Sequence, residues 1–407
     1  MTSASPLARD ARPQATLTPT LRRAMALACG LAIANLFYNQ PLLAQIGRGL
    51  HATVRQVGLL PALTQAGFAV GVFLIAPLGD ILERRRLILT MLGLVTLTLV
   101  GAAIAPNLAV LAVASLLMGV TSVISTLVLP FAVQLARPNE RGATVGSMAA
   151  AMLIGILLSR TLSGLIGGAL GWRFMYAVAA IFMVALALVL RRLLPTSRPA
   201  LTMPYGALLR SMIGLFRSEP LLRSATYNGM LVYAALSAFW ATLIFFVEGR
   251  SYHYGPAAAG MFGLVAALGA SATPLVGRLA DRLSPRTIVG IASGVMLAGF
   301  GLLWAYGTCL TGLIAGVILI DVAAQTATVS NQATVYSLAP NAHSRVYTIY
   351  RTAYSVGGSA GALAGAWGWS VRGWPGVCAM SSTCITFALF LHLWAWRTAR
   401  GTGVPKG

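Results

Sequence analysis

Charged residues are scarce in this chain of 407 residues: they make up 9% of it, and only eight are aspartate or glutamate. Soluble domains usually carry about 25% charged residues. This shortage excludes an ordinary cytosolic enzyme and a disordered protein, because too little polar surface exists to face water. The four cysteines lack CxxC or metal-ligand spacing, which excludes a disulfide scaffold and predicts free thiols. The 57% of hydrophobic residues favours a polytopic helical membrane protein.

Twelve apolar runs are long enough to cross a bilayer, which takes about 20 residues. The first six predicted spans, numbered one to six, cover residues 23–45, 56–78, 87–105, 108–135, 143–169 and 173–194. The second six, numbered seven to twelve, cover residues 223–247, 256–279, 287–306, 310–338, 345–368 and 374–396. The remaining segments are predicted as a disordered tail (1–22), a proline- and arginine-rich linker (195–222) and a second tail (397–407).

Basic residues are distributed unevenly between these spans. If the N-terminus is cytoplasmic, 22 of the 29 Lys and Arg lie on the cytoplasmic side, five lie on the opposite side, and Arg160 and Arg351 lie inside spans. Because the cytoplasmic loops of membrane proteins carry an excess of Lys and Arg, both termini are predicted to be cytoplasmic. This topology accounts for the net charge of +21 without nucleic acid as a partner.

The two halves of the chain repeat each other. Pairs of equivalent positions are separated by 201 or 202 residues, and they are Asp80 and Asp281, Pro138 and Pro340, Gly155 and Gly357, and Gly171 and Gly373. Two six-helix halves with an even number of spans are related by an axis along the membrane normal. Such parallel repeats enclose a site near the midplane and rock against each other.

The loops after spans two and eight resemble the marker loop G-x-x-x-D-R-x-G-R-R of the major facilitator superfamily. Residues 277–286 (GRLADRLSPR) fit it well, and residues 76–86 (APLGDILERRR) keep its aspartate and two of its arginines but have Ile81 for Arg and Glu83 for Gly. The resemblance implies an all-α membrane protein with twelve transmembrane helices in two pseudo-symmetric six-helix bundles.

Two further runs, NLFYNQP at 35–41 and VSNQ at 329–332, resemble a bacterial branch related to drug/proton antiporters. That resemblance implies a multi-pass protein of the bacterial cytoplasmic (inner) membrane that acts as a monomer, without a cofactor or metal. Its partners would be a small-molecule substrate, protons as coupling ion and the lipid bilayer.

The marker loops place carboxylates where spans two and eight leave the cytoplasmic face. A carboxylate there can pair with loop arginines or with a helix N-terminus. We expect these contacts to form a cytoplasmic gate that opens during transport, and the alternative is a fixed clasp. The expected gate residues are Asp80, Arg84, Arg85, Asp281, Arg282 and Arg286.

Asp321 is the one carboxylate well inside a predicted span. It lies about 11 residues into span ten, roughly 16 Å deep at 1.5 Å per residue, and Gln325, Thr328 and Gln332 share its helix face. A polar stripe of this kind lines a cavity or a tight polar interface. The stripe therefore predicts binding of substrate or the coupling proton, or else a static packing contact.

Arg351 and Arg160 are the two basic residues inside spans. Arg351 lies roughly 9 Å from the cytoplasmic edge, with Tyr354 among the tyrosines beside it. It is predicted to bind an aromatic or anionic ligand, to pair with Asp321, or to snorkel to the surface. Arg160 stands where the antiporter motif G-x-x-x-G-P-x-x-G-G of span five has proline. Arg160 is expected to bind substrate, or to snorkel to the periplasmic edge, and loss of the proline weakens the case for antiport.

Span one carries Asn35, Tyr38 and Asn39 in one short run. Buried asparagines in a membrane require hydrogen-bond partners. We expect this run to face the central cavity, and the alternative is bonding across to another helix.

Nothing in the sequence indicates enzyme chemistry, and no Walker motif is present for an ATP-driven pump. The sequence predicts a secondary transporter of small organic molecules, working by proton-coupled efflux through alternating access. The alternatives are proton-coupled uptake of a small, anionic metabolite and, from another class, a membrane sensor or scaffold that transports nothing.

Overall fold

The computed structural model describes residues 17–197, 203–249, 251–271, 284–338 and 343–401. Every regular element within these ranges is helical. Spans one to six correspond to Pro19–Ala34 with Leu43–Gly49, Leu59–Leu74 with Leu78–Ile81, Arg84–Ala103, Leu108–Thr121 with Ile124–Leu135, Arg141–Leu170 and Trp172–Leu193. Spans seven to twelve correspond to Pro220–Val247, Pro256–Ser271, Pro285–Tyr306, Leu310–Ser337, His343–Arg372 and Trp374–Gly401.

Nine of these spans, within the described residues, are long and apolar enough to cross a membrane by length and composition. The other three have simple explanations. Span one is interrupted, span eight is described only as far as Ser271, and span eleven is rich in glycine, serine and tyrosine. The exterior of the bundle is strongly apolar, with exposed side chains such as Leu97, Ile104, Ile181 and Phe390. Such a surface is suited to lipid rather than water.

The repeat predicted from the sequence is confirmed by the packing of equivalent glycines. A Cβ on Gly155 in span five would clash with the Gly30 carbonyl of span one. A Cβ on Gly357 in span eleven would clash in the same way with the Met230 carbonyl of span seven. In both halves, therefore, the fifth helix packs backbone to backbone against the first. The glycines before spans six and twelve also correspond, since both have positive φ, 90° at Gly171 and 60° at Gly373.

The two bundles meet along two pairs of helices, spans two and eleven and spans five and eight. Small residues allow this close approach. A Cβ on Gly164 of span five would clash with the Pro256 carbonyl, and one on Gly260 of span eight would meet the Arg160 carbonyl. Spans two and eleven are similarly close at Gly58 and Ala366.

Contacts between helix ends define the two ends of the molecule. At the arginine-rich end, Arg85 donates to the Arg191 carbonyl (2.6 Å) and Tyr205 donates to the Leu74 carbonyl (2.6 Å). At the opposite end, Arg173 donates to the Ala105 carbonyl (2.9 Å). The arginine-rich end is the one predicted to face the cytoplasm.

The structure differs from the predicted boundaries in three places. Span one begins at Pro19, inside the tail predicted as disordered, because the Thr18 side chain caps its N-terminus. The predicted linker contains an amphipathic helix, Tyr205–Ser218, whose Leu208 and Met212 are buried. The helix of span twelve runs on to Gly401, into the predicted second tail.

Candidate functional site

Asp321 of span ten and Arg160 of span five come together at the boundary between the bundles. Both side chains are largely buried, and their charges attract each other. The three direct ion pairs of the described residues lie elsewhere, so this attraction acts without direct contact. Trp240 of span seven approaches the carboxylate, yet no described residue is a partner with hydrogen-bond geometry for Asp321 Oδ2 or for Trp240 Nε1.

Arg160 is held inside the protein by contacts to both bundles. Its Nε donates to Oε1 of Gln40 (2.8 Å). Its guanidinium carbon lies 3.9 Å from the ring centroid of Trp240 and 4.9 Å from that of Phe37, within the range of cation–π attraction. Arg160 therefore points into the boundary between the bundles and does not snorkel to a membrane surface.

The helix of span one is interrupted at residues 35–39, close to this arginine. The physical cause is Pro41, which has no backbone N–H and whose ring clashes with the preceding turn. Non-helical backbone at membrane depth is tolerated where protein or a polar cavity satisfies it. Ser163 of span five does so here by donating a hydrogen bond to the Tyr38 carbonyl. In the sequence, Pro41 was the signal for this interruption. Gln40, which directly precedes it and bonds to Arg160, was not among the predicted site residues.

The asparagines of span one are buried and bond to other helices. Asn35 Nδ2 lies 3.5 Å from the sulfur of Met183, and Asn39 Nδ2 donates to Oγ1 of Thr64 (3.3 Å). Within the described part of the chain, the Oδ1 atom of each asparagine has no hydrogen-bond partner. Each side chain thus keeps one acceptor unsatisfied inside its own bundle, while Tyr38 is also buried.

Arg351 of span eleven lies apart from Asp321, among aromatic rings. Its guanidinium carbon is 5.3 Å from the ring centroid of Tyr354 and 5.5 Å from that of Phe68 in span two. Its electrostatic neighbours are tyrosines, and the cation that acts on Asp321 is Arg160. In this structure, therefore, Arg351 does not pair with Asp321 but lies among aromatic side chains.

One residue of the polar stripe of span ten contacts span eleven. Thr328 is buried and contacts Tyr354, while Gln325 and Gln332 are half-buried. Next to the stripe, Asn331 Nδ2 donates to Oδ1 of Asn228 in span seven (2.8 Å).

Gln65 of span two and Tyr233 of span seven form a contact that the sequence analysis missed. Gln65 Nε2 donates to the Tyr233 hydroxyl at 2.8 Å, and this hydrogen bond joins the two bundles. The Tyr233 ring also stacks on Tyr354, with ring centroids 4.1 Å apart. In the sequence, Gln65 could have been recognised as a polar amide side chain within the otherwise apolar span two.

The structure describes four of the six residues predicted to form the cytoplasmic gate. Arg84 donates to Asp80 Oδ1 (2.9 Å), and Ser344 of span eleven donates to Asp80 Oδ2 (3.3 Å), so the carboxylate links its own loop to the other bundle. Arg85 bonds to the carbonyl of Arg191 within its own bundle. Arg286 lies beside His392 of span twelve. Asp281 and Arg282 lie outside the described residues.

The opposite end carries a second link between the bundles. Arg48 Nη1 and Glu248 Oε2 form an ion pair of 2.6 Å, and this hydrogen bond raises the pKa of Arg48. The pair borders a surface cavity of about 600 Å³ that is also lined by His51, Phe245 and Trp369. Since Arg48 is 65% exposed, the pair contributes about 1 kcal/mol or less to stability. The contact is therefore weak enough to open and close.

Comparison with known proteins identifies the family. Residues 25–362 match the sequence model of the Major Facilitator Superfamily. The chain belongs to this superfamily. Superfamily membership accounts for the two bundles and the internal repeat, and it confirms the all-α membrane fold that the sequence predicted.

Relatives with transporter names cover nearly the whole chain. A protein of Escherichia coli (strain K12) named putative uncharacterized transporter YgaY is 34% identical over 386 residues, which is 95% of this chain and 97% of that protein. The probable transporter SCO4007 of Streptomyces coelicolor is 33% identical, over 88% of this chain and 83% of that protein. Membership of the superfamily and these relatives support a membrane transporter.

Solved structures agree on the fold. An inward-facing, occupied bacterial homolog of the human lysosomal transporter Spinster has a TM-score of 0.75 at 13% identity, over 93% of this chain and 96% of that chain. The human organic anion transporter MFSD10 has a TM-score of 0.65 at 20% identity, over 92% of this chain and 100% of that chain.

Proposed function

We propose that this protein is a proton-coupled secondary transporter of small organic molecules that works by alternating access. The observation that carries the proposal is the burial of Asp321 and Arg160, from opposite bundles, beside the same residue, Trp240. Among the described residues, Asp321 Oδ2 has no hydrogen-bond partner. Burial favours the uncharged form of a carboxyl group and a nearby cation favours the charged form. A group balanced in this way can gain and lose a proton as the bundles move.

The proposed binding site lies at this boundary and draws residues from both bundles. The sequence-derived members are Asn35, Tyr38, Asn39, Arg160, Asp321, Gln325, Gln332, Arg351 and Tyr354, to which the structure adds Gln40, Gln65, Tyr233 and Trp240. Asp321 and Arg160 are largely buried, so a substrate would reach them only after the bundles separate. The bond between Ser344 and Asp80 and the Arg48–Glu248 pair are proposed as the contacts that break at the two ends.

The direction of transport has two candidate answers. Efflux is supported by similarity to a protein named probable sugar efflux transporter in Mannheimia succiniciproducens, 27% identical over 70% of this chain. Uptake of an anion together with a proton is supported by the two arginines inside the membrane, Arg160 and Arg351. The arginine-rich end is proposed to face the cytoplasm, with the protein acting as a monomer in the bacterial inner membrane.

Replacement of Asp321 tests the proposed coupling. Radiolabelled small organic compounds are screened in proteoliposomes with an imposed pH gradient, and the compound with the largest flux is kept. We expect Asp321→Asn to remove the response to the gradient while exchange of the compound at equal pH continues, because the amide binds no proton. The control is Glu219→Gln, which removes a carboxylate at the N-terminal end of span seven, just outside its helix.

Two results would contradict this assignment. A gradient response that persists in Asp321→Asn would show that another group carries the proton. Wild-type flux that ignores the gradient would remove proton coupling altogether.

A further inference from the structure

Arg351 lies inside span eleven without the partners that a cation in a membrane requires. In the described part of the chain, no carboxylate forms an ion pair with it, and it donates no hydrogen bond to another residue. A guanidinium carries five N–H donors in a planar fork. Ionisable groups at membrane depth are costly and usually mark a functional site. The donors of Arg351 are therefore available to a ligand.

Rings from both bundles surround this cation. Phe68 of span two is fully buried and its ring centroid lies 5.5 Å from the guanidinium carbon. The ring of Tyr354 in span eleven, which stacks on Tyr233 of span seven, lies 5.3 Å from it. An anion bound to the fork would place its organic portion against these faces. Planar or aromatic groups fit such surroundings best, because stacked rings attract each other beyond simple burial.

The charge balance of the boundary favours an anion over a cation. Arg160 and Arg351 contribute two positive charges and Asp321 contributes one negative charge, so the site has an excess of one positive charge. When Asp321 takes up a proton, the excess rises to two. Because coupling between two ligands is reciprocal, proton binding should then strengthen anion binding.

We propose that the substrate is an organic anion with an aromatic or planar body, whose acidic group forms a two-point contact with Arg351. This inference rests on the proposed transport function. The anion and the proton bind together and cross in the same direction, so the transporter is a symporter. Arg351 selects the anion, and Asp321 carries the proton.

The test compares three aromatic compounds of similar size and different charge. They are benzenesulfonate, the neutral benzenesulfonamide and the phenyltrimethylammonium cation. A sulfonate keeps its charge across the pH range, so the gradient does not change its passive leak. Binding to the purified protein is measured by thermal stabilisation, and gradient-driven flux is measured in proteoliposomes.

We expect benzenesulfonate alone to bind and to accumulate on the alkaline side. Arg351→Gln should weaken its binding roughly 10- to 100-fold, because a charge-assisted two-point contact is lost. Arg351→Lys, which keeps the charge but not the fork, should lose roughly 10-fold. Arg372→Gln, at the exposed end of the same helix, is the matched control and should bind normally.

The outcomes separate this inference from the proposed function. Gradient-driven transport of the amide or the ammonium compound in preference to the sulfonate overturns the anion assignment and leaves proton-coupled transport standing. Binding of the sulfonate that is equal in Arg351→Gln and the wild type overturns the role of Arg351. If wild-type protein binds and moves none of the three, the inference is overturned. If, in addition, no other compound responds to the gradient, the proposed function is overturned too.

Discussion

Replacement of Arg160 by leucine is expected to abolish transport and to lower stability by about 3 kcal/mol. The reason is that the variant removes the cation near the buried Asp321, so the carboxyl group either stays charged at a high cost or takes up a proton that it no longer releases. It also removes the hydrogen bond to Gln40 and the stacking on Trp240. Flux in proteoliposomes and the denaturation midpoint of the purified protein measure the two effects.

A double variant separates the charge effect from simple loss of packing. Arg160→Leu combined with Asp321→Asn removes both charges, so part of the lost stability should return while transport stays absent. The expected coupling between the two sites is about 1 to 3 kcal/mol. Arg173→Leu is the matched control, since Arg173 also stacks on a tryptophan, Trp172 (4.1 Å), but forms no ion pair with a described carboxylate. Normal transport by Arg160→Leu would exclude Arg160 from the pathway, and purely additive losses would exclude the electrostatic link.

Replacement of Gly164 by valine is expected to reduce flux roughly 10-fold or more, because spans five and eight could no longer meet. A side chain there would overlap the Pro256 carbonyl, and relief of such overlap costs about 1 to 3 kcal/mol. The bundles should therefore stay apart at the end that carries the Arg48–Glu248 pair. Spin labels at positions 48 and 248 would report a longer mean distance than in the otherwise unchanged protein.

The same span provides the control for this experiment. Gly146 also lies in span five, but a Cβ there would meet no atom within 4 Å. Gly146→Val should transport normally and show the unchanged distance. If Gly164→Val behaves like Gly146→Val, contact between spans five and eight has no part in closing the molecule.

The positions of the spans could be predicted from the sequence because the thickness of a bilayer fixes the length of an apolar helix. The repeat was also predictable, since Gly155 and Gly357 occupy equivalent places where only a glycine permits backbone contact. The interruption at residues 35–39 was not predicted, although Pro41 was its signal. Hydrophobicity alone does not separate a continuous helix from two halves joined at a turn.

The partners inside the membrane were harder to predict. Spacing within a helix indicates which residues share a face, but it does not say which helices become neighbours. From the sequence alone, Asp321 could have been a neighbour of either arginine. The packing of spans five, eight and ten places it near Arg160, and Arg351 lies among tyrosines. The bond between Gln65 and Tyr233 joins residues 168 positions apart and has no local pattern at all.

The central claim is that cargo passes between the two bundles at the level of Asp321 and Arg160. A cysteine at Gln325, on the polar stripe of span ten, tests it in a protein whose native cysteines are replaced. Cys309 in particular must be removed, because it is exposed and a hydrogen bond with the Thr311 hydroxyl lowers its pKa, which favours the reactive thiolate.

A membrane-impermeant thiol reagent is then applied to each face of oriented vesicles. The account predicts that the Gln325→Cys protein is labelled from both faces, and that an imposed pH gradient shifts the ratio of the two labelling rates. Labelling from neither face, or from one face under every condition, would contradict it.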